Sequence, residues 1–88
     1  MENVAPLFPE MNYDEFVAHV DKAFLHPASS HLRYGQVYFN ILHKVKPQLA
    51  DEIRGSRLDP FHKENIKQET HDFVSEHWNE VAIAHNKP

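Results

Sequence analysis

The 88-residue chain contains no cysteine. That excludes a disulfide framework, a thiolate nucleophile and any cysteine-ligated zinc site. It contains only two glycines, Gly35 and Gly55. Loops that cradle phosphate need more, and none of Ser29, Ser30, Ser56 or Ser75 sits in a glycine-flanked nucleophile elbow. No apolar run approaches the roughly 20 residues of a membrane-spanning helix. The start MENVAPLFPEM lacks the basic residues and apolar stretch of a signal peptide. Cations are scarce too: 9 Lys and Arg face 13 Asp and Glu, for a net charge of −4 with eight neutral histidines. These absences lead us to expect an acidic, cytoplasmic single domain spanning residues 1–88, without membrane partner or cofactor.

What is present suits a small core. About 41% of residues are hydrophobic, ten of them aromatic, which is too apolar for a disordered tail. A domain of this size buries only about 60% of its unfolded surface, so dense aromatic packing must supply its stability. Residues 1–11, with Pro6 and Pro9, read as an extended arm. Asn12 and Glu15 form a capping-box pattern. Tyr13, Phe16, Val17, Val20, Ala23 and Phe24 then repeat at helical spacing until Pro27 intervenes. Ser29 or Ser30 is the expected cap of a second helix to about Val45, apolar around most of its circumference and so central. Pro47 opens a short third helix with Leu49, Ala50 and Ile53, closed by Gly55. Residues 56–61 read as a loop. A fourth helix is expected from about His62–Asn65 to Val81, with Ile66, Phe73, Val74, Trp78 and Val81 on one face. Residues 82–88 should fray. The expected fold is an all-α bundle of three main helices and one short one, behind a proline-containing arm.

Chemistry finds little foothold. The histidines stand at 19, 26, 31, 43, 62, 71, 77 and 85, with no pair three or four apart, so no local metal motif exists. His77 lies within the apolar arc of the fourth helix and is expected to be a core histidine bonded to a carbonyl or hydroxyl. Adjacent carboxylates such as Asp14–Glu15 and Asp51–Glu52 diverge by about 100° on a helix and cannot flank one substrate. The expectation is a protein that is not an enzyme.

Charge is unevenly distributed. Residues 1–28 carry −4, residues 29–58 carry +3 and residues 59–88 carry −3. Pairing across the bundle is the simplest outcome. Two docking surfaces are the alternatives. Asp14, Asp21, Glu69, Asp72, Glu76 and Glu80 can steer a basic protein partner, with Trp78 or Tyr34 as an anchor if exposed. Arg33, Lys44, Lys46, Arg54 and Arg57 can form a nucleic-acid patch within segment 33–57. Arg33, Gln36 and Asn40 also form a polar stripe on the second helix. The carboxamides are expected to satisfy the backbone of the 55–61 loop, with Asp59 accepting backbone bonds and Phe61 plugging the core.

The run LRYGQVYFNILHKVKPQLADEIRGSRLDPF, about a third of the chain, joins Arg33, Gly35, Gln36 and Asn40 to Pro47, Leu49 and Ala50. It then continues through Ile53, Arg54 and Gly55 to Asp59, Pro60 and Phe61. This pattern resembles small helical proteins of phages and bacteria. The resemblance implies a small helical protein of phage type, in the host cytoplasm, and transfers no catalytic residue. The functional expectation is a non-enzymatic protein–protein interaction module acting on a host or phage protein. A nucleic-acid-binding regulator is the alternative, and a core this small is compatible with a homodimer.

Overall fold

The computed structural model describes residues 11–79. The expected arm, apart from Met11, and the expected frayed tail lie outside the described residues. Within them the chain is all-helical: α1 (Tyr13–Leu25), a 3-10 turn (Pro27–Ser29), α2 (Tyr34–Val45), α3 (Pro47–Ile53) and α4 (Gln68–Glu76).

Helix α1 begins where the capping box places it. The Glu15 backbone N–H donates to Asn12 Oδ1 at 2.8 Å, and the Asn12 N–H donates to Glu15 Oε1 at 3.0 Å. Two N–H groups that the helix itself cannot satisfy are thereby paired. The helix ends at Leu25 because His26 is extended ahead of Pro27.

Two expected boundaries move. Helix α2 starts at Tyr34, not at a serine cap. Pro27 winds residues 27–29 into a tight turn, and Arg33, in extended conformation without a side-chain cap, is the N-cap. Helix α4 is shorter at its start than the apolar spacing suggested. It begins at Gln68, and residues 62–67 stay irregular. The second shift has a tertiary cause. The Gly35 N–H, in the first turn of α2, donates to the Lys63 carbonyl at 3.0 Å, while the Lys63 N–H closes a turn on the Pro60 carbonyl at 2.8 Å. The backbone around residue 63 is therefore committed to α2 and cannot wind into α4. At the other end α4 stops at Glu76, and residues 77–79 form a turn.

The core gathers Phe16 and Val20 of α1, Val37, Tyr38, Phe39 and Leu42 of α2, Leu49, Ala50 and Ile53 of α3, Val74 of α4, and Trp78 just after it. Phe16 is its hub. Its ring lies 5.1 Å from Tyr38, edge to face, and 5.0 Å from Trp78. Such aromatic pairs add to the burial of their large surfaces. Helix α2 is central, as its wide apolar face implies. Gly55 closes α3 with φ of 75°, a left-handed position that costs glycine little.

Candidate functional site

The 55–61 loop holds itself. Asp59 accepts from the Gly55 N–H at 2.7 Å and the Phe61 N–H at 2.9 Å, one carboxylate oxygen to each. Ser56 Oγ donates to the Ile53 carbonyl and accepts from the Leu58 N–H. Buried Thr70 donates to the Leu58 carbonyl at 2.9 Å, tying the loop to α4. Phe61 packs edge-on against Phe39 at 5.9 Å.

The carboxamides of the α2 stripe take no part in this. Among the described residues neither Gln36 nor Asn40 makes a side-chain hydrogen bond to the loop, and Asn40 is exposed. The expected use of the stripe is corrected here: the loop's backbone groups go to Asp59, Ser56 and Thr70, which are nearer. Arg33 reaches Glu64 at 3.7 Å instead. Asn40 opens on a depression of about 410 Å³ lined also by Phe39, His43, Lys44 and Arg54.

The basic segment is largely neutralised within the fold. Arg54 pairs with Asp51 at 3.0 Å and lies over the Phe39 ring. Arg57 pairs with Glu69 at 2.6 Å, and Lys67 reaches the same oxygen at 3.7 Å. Lys46 lies over the Trp78 ring, 5.2 Å from its centroid. Of the five residues of the candidate nucleic-acid patch, Lys44 alone has neither an ion pair nor an aromatic face among the described residues.

The acidic residues of α1 and α4 fare differently. Asp14, Asp21, Asp72 and Glu76 are exposed and enter no ion pair among the described residues. Asp21 accepts from the Tyr34 hydroxyl at 2.6 Å and Asp72 from the Gln68 amide at 2.9 Å, both neutral donors. Glu69 is the exception, held by Arg57 and Lys67, and Glu80 lies outside the described residues. Trp78 is no exposed anchor: it is 2% exposed, and its indole N–H donates to the Met11 carbonyl at 2.7 Å. Tyr34 is half-buried, ring to ring with Phe24 at 5.3 Å.

Sequence reasoning missed a polar chain through the interior. The Tyr13 hydroxyl bonds both the Tyr38 hydroxyl at 2.8 Å and His71 Nδ1 at 2.6 Å. It brackets α1 between α2 and α4. Burial pushes the Tyr13 phenol up to about 12, with the Asp14 and Asp72 carboxylates adding to the effect. Burial likewise raises Tyr38, and burial with the Asp21 contact raises Tyr34. His71 is thus the histidine that joins this polar chain. His77 is half-buried at the C-cap of α4, its ring 4.4 Å from that of Phe73. His71 stands within α4 and His77 is its C-cap, and only the tertiary fold sets what each ring meets. Among the described residues no three His, Asp or Glu side chains approach closely enough to hold a metal ion.

No family model, curated protein or solved structure matches this chain.

Proposed function

We propose that the protein is a non-enzymatic interaction module whose α1 and α4 carboxylates dock a basic surface on a protein partner. One observation carries this reading. Arg33, Arg54 and Arg57 each form an ion pair within the fold, whereas Asp14, Asp21, Asp72 and Glu76 enter none among the described residues. Unpaired surface charge of one sign steers encounter with the opposite sign. The resemblance of the 32–61 run to small phage proteins gives this proposal its concrete form, an accessory protein acting on a host or phage protein.

The test is affinity capture from bacterial lysate with the wild-type protein and with an Asp14→Asn/Asp72→Asn/Glu76→Gln variant. A specific protein retained by the wild type, and lost both in the variant and on adding salt, supports the reading. The variant must melt like the wild type. Salt-sensitive retention on duplex DNA that survives in the variant, and is lost in Lys44→Ala, overturns it in favour of a nucleic-acid-binding regulator.

A further inference from the structure

Helix α1 exposes one narrow stripe. Asp14, Ala18, Asp21 and Leu25 follow one another at spacings of four, three and four, which places them within about 60° of one another on a helix turning about 100° per residue. All four are exposed. Leu25 is 81% exposed, and no other large hydrophobic side chain in the described residues is comparably bare. A single exposed leucine is ordinary on a protein surface. The register is what sets this one apart. It ends a stripe whose other members are a small residue and two carboxylates, and the apolar contour continues into exposed Pro27 and Ala28. The Asp21 carboxylate is held in place by the Tyr34 hydroxyl, so it is pre-positioned along the stripe.

The stripe is about 16 Å long at a rise of about 1.5 Å per residue. That is the length over which one helix meets another across three turns. Its small central residue, Ala18, lets a partner backbone approach closely. Resting on the acidic-surface reading above, we infer that this stripe of α1 receives a basic amphipathic helix of a partner protein. The partner sets an apolar pocket or side chain around Leu25 and Lys or Arg opposite Asp14 and Asp21. This is recognition of one helix face by another, with an apolar anchor supplying affinity and flanking charges supplying orientation and encounter rate.

A displayed library of helical peptides, selected for binding to the full-length protein, tests this directly. The expected winners carry Lys or Arg two turns apart around an apolar residue. Leu25→Ala should weaken their binding about ten-fold. Asp14→Asn/Asp21→Asn should weaken it about five-fold at low salt, with the difference shrinking as salt rises. Leu25→Ala should melt like the wild type, since that side chain faces water, and Asp14→Asn/Asp21→Asn, which alters the Tyr34 hydroxyl contact, is compared at a temperature well below its own measured Tm. Basic winners that Leu25→Ala leaves unaffected, but that Asp72→Asn/Glu76→Gln weakens, overturn the α1 stripe while the acidic-surface reading survives. Acidic winners, or none, overturn both.

Discussion

Gly35→Ala should destabilise this protein although helix propensity alone argues for the opposite. Gly35 lies in the first turn of α2, where alanine ordinarily gains about 0.5–1 kcal/mol over glycine. Here a Cβ would stand 1.9 Å from the Pro60 carbonyl oxygen and 2.7 Å from that of Lys63. Both are backbone atoms, so no side-chain rotation relieves the contact. The 60–63 segment must retreat from α2, which costs about 1–3 kcal/mol as an overpacking strain. It also breaks the Gly35 N–H bond to Lys63, worth about 1 kcal/mol. After subtracting the propensity gain, a net loss of about 2 kcal/mol remains. For a domain this small that lowers Tm by about 8–16 °C. Thermal melting followed by circular dichroism at 222 nm measures it. A Gly35→Ala protein melting at or above the wild-type temperature would refute the close approach of α2 to the Pro60–Lys63 turn, and with it our explanation for the late start of α4.

Asn12→Ala removes the side-chain half of the capping box and should cost about 1 kcal/mol, read as a drop in Tm of about 4–8 °C. Asp59→Ala strands the Gly55 and Phe61 N–H groups and should lower the urea midpoint by the equivalent of about 1–2 kcal/mol, whereas Asn40→Ala should leave it unchanged within about 0.5 kcal/mol. Equal effects at the two positions would restore the carboxamide stripe as the support of the loop. Alkaline pH should destabilise the fold. With Tyr13 pushed up to about 12 and Tyr34 and Tyr38 also raised, the unfolded chain releases its phenolic protons first. The stability that the neutral phenols contribute is complete below about pH 10 and falls as pH rises to about 12 and beyond. Melting across that range, compared with Tyr38→Phe, measures the slope, and a wild-type Tm that stays level to pH 12 contradicts the buried phenol chain.

Much of this architecture is legible in local patterns. The capping box at Asn12 and Glu15, the stop before Pro27, the proline start of α3 and the left-handed Gly55 each depend on a few adjacent residues, and each stands where those residues place it. The wide apolar face of α2 likewise identified the central helix, because a helix apolar over most of its surface must be covered on most sides. The moved start of α4 depends on residues far apart. Nothing near Ser30 announces that α2 waits for Tyr34, and nothing near His62 announces that α4 waits for Gln68. The hydrogen bond from Gly35 to Lys63, which holds back the start of α4, spans 28 positions.

The candidate surface divides along the same line. The sequence by itself determined the charge of each segment, the helical class and the register that lines up Asp14, Ala18, Asp21 and Leu25, since charge is a sum and helical register is arithmetic. Only the tertiary structure decided which charges cancel. Arg57 meets Glu69 and Arg33 meets Glu64 across the fold, while Asp14, Asp21, Asp72 and Glu76 meet no cation among the described residues. It also decided that His71 meets the Tyr13 hydroxyl, which in turn meets buried Tyr38, and that Trp78 is core while Leu25 faces water. The reason is physical. Pairing energy depends on distance between side chains brought together by packing, and packing here is set by contacts of α1 and α2 with residues 60–78 that no local window of sequence contains.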